Sequence, residues 1–366
     1  MNIDCSRRDL YEAISTASVA AGTRSPVQIY QNMKLEASGT NLKVLGCDGE
    51  IWVEREIACT VNTPGSVLVN AKLIQELVDS LPDGSVHLDW NGRQLTVDET
   101  GSRYELIGQE AGDFPAVPEV TGQSSISLPM GKFKSLVDSV LFAVATDIHR
   151  QILTGVQFTY KDDELRLVAT DTHRLAVQKM NQDGIGSEMS LVLPEKAIRA
   201  IKNVPVVESE KIELQFSNLQ MFLNLSGVRI VSQILDGQYP NWERVVPAET
   251  TRTWDIPKDE LESKLRRCMI IARDVSNRVR FSCKGDMIHL SARGDQGEAK
   301  ESLPCIATNG DVDVAFNARY VLDALAPIES DTVQVKLSES SRPAIFRSAA
   351  EDEHYFCVIM PMALTA

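Results

Sequence analysis

Asp171 and His173, in the run Thr170-Asp171-Thr172-His173-Arg174, are the residues whose types could do chemistry. A carboxylate beside an imidazole can orient and charge a general base. Such a base needs something to act on. The sequence offers no G-x-S-x-G nucleophile elbow and no glycine-rich phosphate loop. The five histidines, His87, His149, His173, His289 and His354, show no metal-ligand spacing such as H-E-x-x-H. The seven cysteines, Cys5, Cys47, Cys59, Cys268, Cys283, Cys305 and Cys357, are odd in number and form no C-x-x-C, so neither a zinc site nor a disulfide framework is indicated. They read as reduced, mostly buried thiols. Asp171 and His173 therefore read as shaping a turn beside a surface pocket. No enzyme activity, metal or cofactor is expected. A hydrolase using the two residues is the competing reading, and it requires a pH-dependent turnover lost in His173→Ala.

The elements that position this turn recur three times. An amphipathic helix is expected over Ser6–Ser18, again over Met130–Asp147 and again over Pro257–Asp274, each with apolar residues at helical spacing. Strands follow at Asn41–Asp48, Glu164–Asp171 and Met287–Ala292, with partners at Ile51–Cys59, Arg174–Met180 and Ala299–Cys305. A second helix comes next, at Asn70–Leu77, Pro194–Ile201 and Asn317–Leu325, each opened by a cap or a proline. Strand runs over 85–108, 211–235 and 332–362 close the units. The first helices start 124 and 127 residues apart and the second helices 124 and 123. Agreement at several landmarks marks a repeat rather than generic α+β domains. The expected fold is α+β, with three repeated domains at 1–122, 126–248 and 252–366. In each, two helices pack on roughly eight antiparallel strands.

The 366 residues are 43% hydrophobic and 24% charged, as in ordinary globular chains, and no run of about 18 apolar residues suggests a membrane span. The segment Met1–Arg8 lacks an apolar stretch and a cleavage signal, so a cytoplasmic location is expected. The net charge of −14 opposes nucleic-acid binding unless it is segregated. The six helix windows, with Asp79 and Lys202 just past two of them, hold fourteen bases and twelve acids, so the acidity lies in the strands and loops. A weakly basic helical surface suits loose, sequence-independent phosphate contact, and no base-reading motif is present. A protein scaffold unrelated to DNA is a further alternative.

The run Val168–Val177, the run Asp236–Pro247 (Asp-Gly-Gln-Tyr-Pro-Asn-Trp-Glu-Arg-Val-Val-Pro) and the tail Tyr355–Met362 closely resemble bacterial sliding clamps, the β subunit of the replicative DNA polymerase III. The threefold repeat covers essentially the whole chain, as that family requires. The resemblance implies a head-to-tail homodimer, a ring of six domains with twelve helices lining a hole for duplex DNA. It implies an ATP-dependent clamp loader, and partners (the replicative polymerase and other proteins with clamp-binding motifs) that dock short apolar peptides. It also assigns residues. The peptide site falls on Leu153, Thr170, His173, Arg174, Leu175, Pro240, Arg244, Val245, Asn317, Tyr320, Val358, Met360, Pro361 and Met362. DNA contacts fall on Arg24, Arg150, Gln151, Lys196, Arg199 and Lys202. The dimer seam falls on Tyr104 and Leu106 against Ile270 and Ile271, flanked by Lys72 or Arg103 against Glu298 or Glu301.

Three departures stand out. Thr172 replaces the family's glycine in T-D-G-H-R. The usual M-P-M-R-L ending reads Met360-Pro361-Met362-Ala363-Leu364-Thr365-Ala366. The middle loop His149-Arg150-Gln151-Ile152 lacks the tyrosines that the family can carry there.

Overall fold

The computed structural model describes the chain except residues 23–24, 120, 310, 351–353 and 365–366, and the side chain of Ile148. The six expected helices are present as α1 (Arg7–Ser18), α2 (Ala71–Ser80), α3 (Met130–Leu141), α4 (Glu195–Lys202), α5 (Lys258–Ala272) and α6 (Ala318–Leu325). Three are capped as their sequences specify. Ser6 Oγ accepts the Asp9 N–H at 3.4 Å, Asn70 Oδ1 the Leu73 N–H at 3.0 Å and Asn317 Oδ1 the Arg319 N–H at 3.0 Å. Pro194 and Pro257 occupy the cap positions of α4 and α5 and have no side chain to offer the open N–H groups.

Helix α3 stops at Leu141, six residues before the expected end at Asp147. The Ala145 N–H turns to the Leu153 carbonyl at 2.9 Å, and Arg174 Nη2 takes the Phe142 carbonyl. Both groups are thus lost to helix propagation. Helix α5 ends at Ala272 in a short 3-10 turn, after which Ser276 and Asn277 take left-handed backbone at φ 58° and 53°.

The chain divides into two compact units. The first comprises Met1–Phe133, Ile185–Ser187 and Leu193–Leu235. It holds a thirteen-stranded antiparallel sheet. Leu10, Ile14 and Ala17 of α1 and Ile74 and Val78 of α2 bury into Ile3, Leu35, Val44, Val67, Leu88 and Val97. Helix α1 lies so close to the sheet that a Cβ on Gly46 would come within 2.1 Å of the Ala17 carbonyl oxygen, which explains the glycine. The second unit comprises Lys134–Gly184, Glu188–Val192 and Asp236–Ala366. It contains a nine-stranded sheet and a four-stranded sheet. Leu261, Leu265 and Cys268 of α5 and Val321, Leu322 and Leu325 of α6 pack on Trp254, Phe281, Phe316 and Phe346. The last three rings meet edge to face at 5.5 Å.

The middle repeat contributes to both units, because each of its outer strands pairs with a neighbouring repeat. Val228–Gln233 pairs antiparallel with Ile51–Ala58, and Arg174–Asn181 with Tyr355–Ile359. All seven cysteines are free thiols, and burial pushes Cys5 up to about 12 and Cys47 to about 11.

Candidate partner-binding site

The turn at 170–174 is built almost entirely by its own side chains. Asp171 Oδ1 accepts the N–H groups of His173 (2.9 Å) and Arg174 (3.0 Å), and its Oδ2 accepts Arg174 Nε at 3.0 Å. Thr170 Oγ1 donates to the Arg174 carbonyl at 2.7 Å and accepts the Thr172 N–H at 3.2 Å. Thr172 is thereby held at φ 78°, a left-handed backbone unusual for a β-branched residue. The Asp171 carboxylate is committed to this turn and to Arg174. Among the described residues no hydrogen bond joins it to the His173 ring, so the pair is not an oriented base.

Arg174 is the hub. Its Nη1 donates to Asp323 Oδ2 at 2.6 Å, and its guanidinium lies 5.2 Å from the centre of the Phe142 ring and 4.3 Å from that of Tyr320. Burial, with Asp171 next in effect, raises the Tyr320 phenol above its usual range. The neighbouring strands bring the tail alongside. Leu175 pairs with Val358, and the Met360 N–H donates to the His173 carbonyl at 2.9 Å. Met362 bridges Ala315 on the edge strand of the four-stranded sheet.

These contacts leave a cavity of about 210 Å³. Leu153, Leu175 and Val358 form a buried floor, and Pro240, Trp242 and Val245 form one wall. Thr170, Thr172, Arg174 and Met360 complete the lining. The wall is anchored by Tyr239, buried beneath it, which donates its hydroxyl to the Val168 carbonyl at 3.3 Å. Burial pushes that phenol well above its usual range. The cavity is apolar inside, with a few polar groups at the edge, and has room for one or two apolar side chains.

Of the fourteen residues assigned from sequence to this site, eight line the cavity. His173 contributes its backbone carbonyl beside it. Tyr320 lies behind Arg174, Asn317 caps α6, and Arg244 is exposed at the end of the turn Trp242–Arg244. Pro361 and Met362 extend past the cavity along the Ala315 strand. Thr172 and Trp242 line it and were not assigned. Thr172 was visible only as a departure from a motif. Trp242 was visible as a lone indole between Pro240 and Arg244.

Of the residues assigned to the seam, Arg103, Tyr104 and Leu106 lie on one strand, Glu298 and Glu301 on another, and Lys72, Ile270 and Ile271 on helices α2 and α5. Ser102–Gln109 pairs along its length with Gln94–Glu99, but on its other side only Gly108 and Gln109 are paired. Tyr104 is 38% exposed and Ile107 81%, while Leu106 is buried. In the second unit, Gly297–Pro304 pairs, among the described residues, only with Met287–Gly294. Beside it Ile270 of α5 is 63% exposed and Ile271 half-buried. The flanking charges have partners within their own units. Lys72 meets Glu76 at 3.7 Å, Arg103 meets Asp98 and Glu105 at 3.6 Å, Glu298 meets Lys300 at 3.1 Å and Glu301 meets Arg267 at 2.6 Å.

Of the residues assigned to DNA, Arg24 lies outside the described residues. Arg150 and Gln151 are exposed in the 3-10 segment Ile148–Thr154, which Arg150 interrupts at φ −115° and ψ 59°. Arg199 is exposed and paired with Glu195, and Lys202 is half-buried at the end of α4. Lys196 is half-buried on α4. It forms an ion pair with Asp48 and donates to the Ala20 carbonyl.

Three family models for the DNA polymerase III beta subunit match the chain: the N-terminal domain over residues 1–118, the central domain over 127–241 and the C-terminal domain over 243–363. The chain belongs to the DNA polymerase III beta subunit family. It is 29% identical to a beta sliding clamp of Synechocystis sp., over 94% of this chain and 95% of that one. It is 28% identical to the beta sliding clamp of Staphylococcus aureus, over 91% and 92%. A DNA polymerase III beta subunit from Thermotoga maritima superposes over the full length of both chains with a TM-score of 0.91 at 23% identity. A sliding clamp from Bacillus subtilis does so with 0.90 at 25%. The α+β domains are therefore those of the beta-subunit clamp fold, and the function common to these relatives is that of a sliding clamp of DNA polymerase III. Of the departures noted in the sequence, Thr172 lines the cavity and Ala363 lies beyond it in the tail. No helix among the described residues is long and apolar enough to cross a membrane.

Proposed function

We propose that this beta subunit forms a head-to-tail homodimer of three-domain chains (1–122, 126–248 and 252–366) that encircles duplex DNA and slides on it without catalysis. One observation carries the ring. Repeats one and two are joined by pairing Ile51–Ala58 with Val228–Gln233, and repeats two and three by pairing Arg174–Asn181 with Tyr355–Ile359. In both, the first residue of one strand faces the fifth of the other: Ile51 with Ser232, and Arg174 with Ile359. The corresponding strands left over are Gly297–Pro304 and Ser102–Gln109, each with an unpaired edge. Bare edges invite pairing with another chain. Joining them by the same rule puts Leu106 opposite Gly297 and Tyr104 opposite Ala299, on the side of Ile270 and Ile271. Arg103 then faces Lys300 with Glu298 on its diagonal, and Glu105 faces Glu298 with Lys300 on its diagonal, so each like-charged facing pair has opposite charges beside it. A head-to-tail contact used twice closes a ring rather than extending a fibre.

The cavity receives the apolar anchors of short peptides from the replicative polymerase and other clamp-binding proteins. Met360 suits a site that accepts different anchors, because the thioether is flexible and polarisable. An ATP-dependent loader places the ring on DNA. Arg150 and Gln151, with Arg24, Arg199 and Lys202, touch the phosphates without reading bases. Deleting Met360–Ala366 tests the pocket. Binding of an apolar peptide is lost while the sedimentation mass stays that of the ring. Undiminished affinity places the partner site elsewhere.

A further inference from the structure

A second recess lies next to the apolar cavity along the same tail. It has a volume of about 220 Å³ and is lined by Arg278, Arg280 and Arg293 from adjacent strands, with Glu298 and, at its edge, Ala363 and Leu364. The strand registers put the three arginines on one face of the four-stranded sheet. Arg280 pairs with both Ser291 and Ala315, and Arg293 with Glu298. Arg280 is neutralised by Asp313 at 2.7 Å. Among the described residues Arg278 and Arg293 have no ion-pair partner. In a chain of net charge −14, two such guanidinium groups converging on a recess are unexpected unless an anion visits them.

The position of the recess identifies the visitor. Met360 lines the apolar cavity and Ala363 lines the arginine recess. Three residues of extended chain span about 10 Å. We propose that the Arg278–Arg293 recess is an acidic subsite, taking a carboxylate side chain three to five residues beyond the apolar anchor of a bound peptide. Recognition is then bipartite. The anchor fills the cavity, and the peptide runs along Met360–Leu364 with its acidic residue on the arginines. This rests on the peptide-binding reading above. The basicity comes wholly from the sheet, since Ala363 and Leu364 carry no charge.

The test uses fluorescence anisotropy on the full chain with synthetic peptides. Each carries two apolar anchors, followed or preceded at three to five residues by Asp-Glu-Asp or by Asn-Gln-Asn. The acidic extension on the favoured side tightens binding about tenfold over its neutral counterpart, and raised salt erodes the gain. In the Arg278→Ala/Arg293→Ala variant the gain disappears while affinity for the neutral peptide stays unchanged, which shows that the pocket is intact. Equal affinity of acidic and neutral peptides for the unaltered chain overturns the subsite and leaves the pocket standing. A variant that loses DNA retention but keeps the acidic gain also overturns it, assigning the arginines to phosphate. Failure of every peptide to bind removes the pocket itself, and the subsite with it.

Discussion

The guanidinium of Arg174 stands 4.3 Å from the centre of the Tyr320 ring, with its Nη1 on Asp323 and its Nε on Asp171. One side chain thus ties the turn at the cavity edge to helix α6. Its side chain is 11% exposed, and removing it takes the only cation paired with Asp171 among the described residues and leaves Asp323 with Arg319 alone, at 3.7 Å. Arg174→Ala should destabilise the chain by about 2–4 kcal/mol in urea unfolding. It should also weaken peptide binding, since the turn loses its anchor. A change below about 0.5 kcal/mol would show that the network is not coupled.

Thr172 occupies a backbone conformation at φ 78° that glycine adopts freely. The strain, on the order of 1–2 kcal/mol, is offset by the Thr170 and Asp171 hydrogen bonds that fix the turn. Thr172→Gly relieves it and adds backbone entropy to the unfolded chain. The net expectation is a gain of roughly 0.5–1 kcal/mol in unfolding free energy, read as a raised denaturation midpoint. A loss of stability would mean that the methyl or hydroxyl packing in the cavity outweighs the strain.

At the seam, Leu106→Ala with Ile271→Ala removes apolar contact from both sides of the proposed strand pairing. The dimer should weaken by at least tenfold, read as a shift to monomer mass in sedimentation at nanomolar concentration. An unchanged mass there would place the seam elsewhere.

Glu301 is held below the usual carboxylate range, first by its hydrogen bond from Arg267 and then by the charges of Arg267 and Lys264. A lowered folded pKa favours the fold above the unfolded value, and the contribution is lost as pH falls through the folded value. Stability should therefore fall as pH drops through and below the ordinary carboxylate range, and less steeply in Glu301→Gln. Identical slopes in the two proteins would show that Glu301 does not contribute.

The repeat, the six helices and the tail were legible because apolar spacing and caps are local signals. Ser6, Asn70 and Asn317 announce their helices by type alone. The early stop of α3 was not legible. It depends on Arg174 and Leu153 claiming helix backbone groups from a distance in sequence. For the same reason the ion pair of Lys196 was not legible. Nothing near it in the chain signals Asp48, 148 residues away. The cavity was legible in its turn and tail but not in Trp242, whose role depends on Tyr239 buried beneath the wall. The strand edges at the seam were suggested by Ser102–Ile107, but the pairing rule that joins the repeats appears only in the registers.

The most direct test of the ring is retention on DNA after loading by an ATP-dependent loader. Clamp is loaded on a nicked circular duplex and passed through a sizing column at moderate salt, and the experiment is repeated after the circle is cut once. A topological ring stays with the circle and runs off the linear product, whatever the DNA sequence. Equal retention on circular and linear DNA would mean that the protein grips the duplex rather than encircling it, and would contradict the account.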